Sequence, residues 1–252
     1  MKLKNLSVIC TAALMLTFTA CGNNAADSGD TGSDPVTASA GDTSPAGDAE
    51  ILNFTLPAEG EEIAVITVKD YGEIKIKLFE DECPKAVENF KGLTNMNYYD
   101  ELIFHRVIPN FMIQGGDPKG NGTGGNSMWG GSFDGGVSDK LYHFTGAVAY
   151  ANSGSTSTNS SQFYIVNTPD AYVNLGGAES IDQFGLPANV AEMYSEKGGV
   201  PYLDGSYTVF GQVIEGMDVV RAISEVETSK EEASMDKPLT QVQMESVRIV
   251  NY

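Results

Sequence analysis

From Ile63 to Val68, and again from Glu73 to Phe79, apolar and polar side chains alternate on either side of a turn at Asp70-Tyr71-Gly72, the period-two pattern of a hairpin. Pro84 then opens a helix, because a proline at the first helical position gives up a donor that has no intrahelical partner anyway. Ala86, Val87, Phe90 and Leu93 form that helix's apolar stripe. Phe104 to Gln114 reads as strand-like: alternation points Arg106, Ile108 and Met112 to related sides, and Pro109 interrupts the register. Further strands are predicted at Ala147–Ala151, Gln162–Val166, Thr208–Val213 and Gln243–Val250. A second helix fits Met217–Ser224, where Val219, Val220 and Ile223 share a side. Strands outnumber helices, Gly-rich turns join them, and no internal repeat is seen. The predicted class is mainly β, a closed antiparallel β-barrel capped by two helices.

The chain ahead of this domain is built differently. Lys2 and Lys4 precede an uncharged apolar run from Leu6 to Ala20, too short for a comfortable membrane span, so residues 1–20 read as a signal peptide. The run ends Phe18-Thr19-Ala20-Cys21-Gly22, which looks like a bacterial lipoprotein cleavage box with Phe18 where leucine is usual. By that resemblance Cys21 receives a diacylglyceryl group and becomes the mature N-terminus, anchoring the protein on the extracytoplasmic face of the bacterial cell membrane. At about 0.8 kcal/mol per buried methylene one acyl chain holds only marginally, so a stable anchor needs two or more. A plain secreted protein and an uncut signal anchor are the alternatives. Gly22 to Glu50 holds six acidic residues and no basic one, without helical or strand periodicity. Residues 21–61 are therefore expected to be a lipidated cysteine and a disordered acidic tether, and residues 62–252 the folded domain.

Charge and cysteine content narrow the picture. The formal net charge is −19, and −21 once Lys2 and Lys4 leave with the signal, which argues against nucleic acid as a partner and against electrostatic adhesion to anionic lipid. Of the three cysteines, Cys10 departs with the signal and Cys21 is acylated; Cys83 stands alone, so no internal disulfide is expected. Without a nearby base, Cys83 reads as a small buried apolar side chain rather than a nucleophile.

The richest stretch for chemistry is Phe104 to Gly116, FHRVIPNFMIQGG. An X-Pro amide rotates behind a barrier of roughly 18 to 20 kcal/mol, because rotation breaks the partial double bond. A catalyst of that rotation needs an apolar slot for the proline ring and a donor that favours the twisted state, in which the nitrogen regains its lone pair. Arginine suits the donor role, since its guanidinium stays charged and presents several N–H groups in a rigid plane. Arg106 fits as that donor, Phe111 and Met112 as slot walls, and Gln114 as an orienting amide; a surface charge and ordinary core packing are the competing readings of these residues.

This stretch closely resembles the signature of the cyclophilin peptidyl-prolyl isomerases. The resemblance runs on, in the family's order, through GNGTGG (Gly120 to Gly125), AYANSG (Ala149 to Gly154), SQFYI (Ser161 to Ile165) and YLDGSYTVFGQVIEGMDVV (Tyr202 to Val220). It implies a barrel of about eight strands. It also implies isomerase activity on proline-containing peptides and unfolded exported proteins, with no cofactor or metal, in a chain expected to act as a monomer. Position by position it makes Arg106 catalytic, with His105 beside it in an orienting or packing role because the reaction transfers no proton. Around the substrate it sets Phe111, Met112, Gln114, Ala151, Asn152, Ser153, Gln162, Tyr164, Tyr202, Leu203 and Tyr207, with Asn152 offering backbone and amide groups to the peptide.

The chain also departs from the family pattern. Tyr164 stands where a phenylalanine lines the slot, Tyr202 where a tryptophan associated with cyclosporin binding often sits, Tyr207 where a histidine often sits, and Ser153 where alanine is usual. A competing reading from another class is a peptide-binding chaperone or adaptor on the same fold. An insertion at about 170–201 has no counterpart in minimal relatives. Within it Pro187 can start a short helix with Val190, Met193 and Tyr194 on one face, and Lys197-Gly198 a stop. Gly120, Gly122 and Gly125 match GxGxxG but read as turn glycines rather than a phosphate loop, since no helix follows them. His105 and His143 lack zinc-site spacing.

Overall fold

Glu62–Val68 (β1) and Gly72–Leu78 (β2) pair antiparallel with Ile63 opposite Lys77 and Val68 opposite Gly72. The turn between them places Asp70 at φ 68° and Gly72 at φ 125°, where side chains other than those of Gly, Asn and Asp are costly. This computed structural model describes residues 48–169 and 180–252. The expected signal peptide, Cys21, most of the tether and residues 170–179 of the insertion lie outside the described residues.

Pro84–Asn95 forms helix α1, with Ala86, Val87, Phe90 and Leu93 all buried. Phe90 is the keystone of the core: its ring lies 5.1 Å from Tyr99, 5.6 Å from Phe163 and 5.2 Å from Phe210. Cys83, just before α1, is a buried free thiol whose pKa is pushed up to about 11 by burial and by Glu82, as an inert apolar filler should be.

The strand-like reading of Phe104 to Gln114 resolves into a hairpin, Arg106–Ile108 (β3) and Met112–Gly115 (β4). Pro109 has no N–H to give a ladder, and Asn110 takes a left-handed φ of 56°, so the chain doubles back instead of running on. Arg106 thereby faces Gln114, and Ile108 faces Met112, on one side, while Val107 and Ile113 point into the core on the other. Ala147–Tyr150 (β5), Phe163–Val166 (β6), Val209–Glu215 (β7) and Met244–Asn251 (β8) follow the remaining predicted strands to within two residues. The other helices are Ala188–Lys197 (α2), inside the insertion, and Met217–Ser224 (α3).

All eight strands join one antiparallel sheet in the order β3-β4-β6-β5-β7-β2-β1-β8. The expectation of a closed barrel with two helices is thereby corrected: the sheet is open, and the described residues hold three α-helices. Its edges, β3 and β8, share no ladder; the chain ahead of β3 meets the start of β8 through the isolated bridge Ile103–Gln243, the Phe104 N–H donating to the Val242 carbonyl at 2.9 Å, the Met244 N–H to the Leu102 carbonyl at 2.8 Å and the Glu101 N–H to the Met244 carbonyl at 2.8 Å. Three-residue β3 is too short to pair along eight-residue β8. Register shifts at Thr67/Val68, Lys75/Ile76 and Val148/Ala149 bend the sheet without closing it.

Two segments add a smaller apolar cluster beside the main core. Tyr142, Phe144, Ile181, Val190 and Tyr194 are buried together, with Ala49 and Ile51 against them. Residues 48–61, read from the sequence as the end of the tether, are thus packed on the domain: Asn53 is fully buried and bonds both the N–H and the carbonyl of Tyr142.

Candidate active site

The β3–β4 hairpin, the start of the β5–β6 connection and the segment before β7 open onto one cavity of about 180 Å³. Arg106, Phe111, Met112, Gln114, Ala151, Asn152, Tyr164, Leu203 and Tyr207 line it. One end is apolar, with Met112 and Leu203 buried. Phe111 is held from behind by Tyr202, whose ring stacks on it at 6.3 Å and 30°. At the other end stands the half-exposed guanidinium of Arg106, its Nε 3.6 Å from the Asp236 carboxylate.

The polar wall is fixed by amides. The Gln114 NH₂ donates to Gln162 Oε1 at 3.0 Å, and the Gln162 NH₂ donates to the carbonyls of Gly122 and Gly124 at 3.1 and 2.7 Å. Gln162 therefore stands one step behind the cavity and orients Gln114, whose carbonyl end is the acceptor turned over to a ligand. The Asn152 side chain is already engaged at both ends, donating to the Ser206 carbonyl and accepting from the Gly154 N–H. What Asn152 brings to a peptide is accordingly its backbone. Ser153 lies outside the cavity, its N–H donating to Thr158 Oγ1 at 2.9 Å.

His105 is buried and lines a cleft adjoining the cavity, which Arg106 and Gln114 also line together with Asn121, Gly122 and Lys237. Neither ring nitrogen has a hydrogen-bond partner among the described residues. Burial lowers its pKa, with Lys237 and Arg106 adding to that and Asp117 opposing it. An imidazole so buried packs and orients beside the catalytic arginine.

The glycines of GNGTGG serve a turn. Gly120, Gly122 and Gly125 have φ of 61°, 84° and 106°. The loop's N–H groups at Lys119, Asn121 and Gly122 all donate to the carboxylate of Asp117. Burial works against that charge, but these backbone donors outweigh it and lower the pKa. Donors so occupied cannot cradle a phosphate.

Sequence reasoning missed three residues around the site. Asp236 holds Arg106 from a loop far along the chain, while His143 and Asp204 lie behind Tyr164. No local pattern marks any of them, because each acts only through partners brought together by the fold.

A cavity with an apolar end and a guanidinium at its rim can hold an imide ring and donate to its nitrogen, and comparison with known proteins agrees. Residues 63–249 match the model of the family described as "Cyclophilin type peptidyl-prolyl cis-trans isomerase/CLD". A Staphylococcus aureus protein named as a peptidyl-prolyl cis-trans isomerase is 40% identical over 188 residues, spanning 75% of this chain and 92% of its own. A Streptococcus pyogenes protein named as a bifunctional phosphatase/peptidyl-prolyl cis-trans isomerase is 41% identical over 206 residues, and this chain spans only 42% of its length. Among solved structures, a Cryptosporidium parvum cyclophilin-type isomerase crystallised in the presence of the dipeptide Ala-Pro superposes with a TM-score of 0.59 at 30% identity, covering 75% of this chain and 99% of the other. Family, fold and the make-up of the cavity converge, and the chain belongs to the cyclophilin-type peptidyl-prolyl cis-trans isomerases.

Proposed function

We propose that this isomerase rotates X-Pro bonds in exported proteins at the outer face of the bacterial cell membrane, to which lipid on Cys21 anchors it. The observation that carries the catalytic part is the meeting of Arg106 with Phe111, Met112 and Leu203 on one open cavity. The proline ring enters the apolar end, and Arg106 donates toward the imide nitrogen as the amide twists and the lone pair localises. That interaction strengthens only in the twisted state, which is what lowers a barrier rather than merely binding a ground state. No bond is made or broken and no proton moves, so the chemistry asks for no cofactor. The Ala-Pro dipeptide present with the Cryptosporidium relative supports proline-containing peptides as ligands. The extracytoplasmic site of action rests on the apolar run ending at Cys21.

A protease-coupled assay on an Ala-Pro tetrapeptide, run beside refolding of an exported protein whose slow phase is prolyl isomerisation, tests this reading. Both reactions are expected to speed up. Peptide binding without acceleration would favour the chaperone or adaptor role, which the tyrosines at 164, 202 and 207 suit.

A further inference from the structure

Behind the slot a line of side-chain hydrogen bonds leaves the sheet and ends in the insertion. The hydroxyl of Tyr164 lies 3.0 Å from His143 Nε2. His143 Nδ1 lies 2.8 Å from Asp204 Oδ1, which also accepts the His143 backbone N–H at 2.9 Å. The other oxygen, Oδ2, accepts the hydroxyl of Tyr194 on α2 at 2.6 Å. A carboxylate only accepts, so His143 Nδ1–H and the Tyr194 hydroxyl donate to Asp204, while the Tyr164 hydroxyl and His143 Nε2 share one hydrogen bond. Burial, with Tyr207 and Asp204 nearby, holds the Tyr164 phenol well above its ordinary range; burial and Asp204 do the same for Tyr194, so both keep their protons.

These groups are too deeply buried for water to replace a lost partner cheaply: His143 is 1% exposed, Tyr164 5% and Tyr194 0%. Tyr207 meets the Tyr164 ring edge-on at 5.9 Å, and the N–H of Val200, at the end of the insertion, donates to the His143 carbonyl at 2.9 Å.

We infer that Asp204 and His143 are positioning residues that latch the Tyr164 wall of the proline slot, and that helix α2 is tied into the slot through Tyr194. A phenylalanine at this position would fill the wall but could tilt; the hydrogen-bonded hydroxyl takes that freedom away. The latched wall sets the width of the slot and so selects the five-membered ring of proline over its six-membered homologue, pipecolic acid. This inference rests on the cavity being the isomerase site.

The test uses the full chain, measuring kcat and KM for a prolyl tetrapeptide and its pipecolyl counterpart together with ¹⁵N spectra of His143. The wild type is expected to show a hydrogen-bonded Nδ1–H. Tyr164→Phe and Asp204→Ala should each lower the preference for proline by about five- to tenfold, chiefly through KM. The double variant should be no worse than either single one, because both break the same line of bonds. Asp204→Asn, which keeps an acceptor for Nδ1–H, should restore part of the preference. Equal losses on both substrates, additive effects, or an Nδ1 that carries no hydrogen-bonded proton would overturn the inference. Should Asp204→Ala fail to fold, Tyr164→Phe and Tyr194→Phe, each missing one hydroxyl, provide the same comparison. If the wild type turned over neither peptide, the site assignment would fall on its own; the hydrogen-bonded Nδ1–H and the relative binding of Ala-Pro and Ala-pipecolate would then decide the latch separately.

Discussion

Arg106 is held more loosely than the residues of the domain's tight ion pairs. Arg248 grips Asp100 with two short bonds of 2.7 and 2.8 Å, and Lys75 meets Glu215 at 2.7 Å, whereas Arg106 touches Asp236 only through Nε at 3.6 Å. A guanidinium steadied on one edge has its planar donors to spare for a ligand. Arg106→Ala should therefore lower kcat/KM about 100-fold with the fold intact, a loss of roughly 3 kcal/mol in transition-state stabilisation. Arg106→Lys should recover little, since a point charge does not reproduce the planar fork. Near wild-type turnover in both variants would exclude the role. His105 makes the opposite forecast. Its folded pKa is lowered by burial, so it contributes stability that is present above the unfolded value of about 6.5 and is lost as pH falls from there through the folded pKa. The thermal midpoint of the wild type should drop between pH 7 and pH 5, and His105→Gln should flatten that slope while leaving turnover within a few-fold. A rate that titrates near 6.5 and disappears in His105→Gln would make the histidine a base after all.

At the scale of elements, the legible parts were those whose signal is local. The stripe of α1, the side shared by Val219, Val220 and Ile223 in α3, and the alternation of β1 and β2 each need only their own residues. The β3–β4 turn escaped because Asn110 is no reliable mark of left-handed backbone. Openness of the sheet escaped because pairing of first and last strands is a long-range property. The pair His143 and Asp204, 61 residues apart, became visible only in the fold. Helix α2 lies between these cases: Val190 and Tyr194 face inward as their spacing implies, but the surface they cover, Tyr142 and Phe144, is set by the fold. The insertion end is held very close. A Cβ on Gly199, where φ is 132°, would lie 2.3 Å from the His143 carbonyl oxygen and 2.7 Å from Phe144 Cα. Both are backbone atoms that cannot swing aside. Gly199→Ala is thus expected to destabilise the domain by about 2 kcal/mol or more, lowering the melting temperature by several degrees. Because the clash falls on His143, loss of proline preference should accompany it. An unchanged melting temperature would mean that the insertion end is not held against His143 and Phe144 in this way.

On the proposed lipoprotein reading, an acidic catalyst faces a membrane whose surface would repel it, so its attachment would come from lipid rather than charge. The cysteines make this open to a clean test. Cys83 is buried with its thiol raised to about 11, and its Sγ donates to the Val209 carbonyl at 3.3 Å, so it offers no nucleophile to an acyl donor. Cys10 sits within the apolar run that would be removed. A fatty-acid label on the mature protein can then report only on Cys21. The wild type is expected to take up label and to fractionate with membranes, whereas Cys21→Ser should lose the label and either persist as precursor or appear in the soluble fraction. Turnover of a small tetrapeptide per molecule should be the same in both, because Arg106 and the slot are built entirely from residues beyond Phe104. Refolding of a membrane-proximal client should slow in the variant if the anchor serves to hold the enzyme near its substrates. Failure of the wild type to incorporate the fatty acid would exclude the lipoprotein assignment while leaving the isomerase untouched.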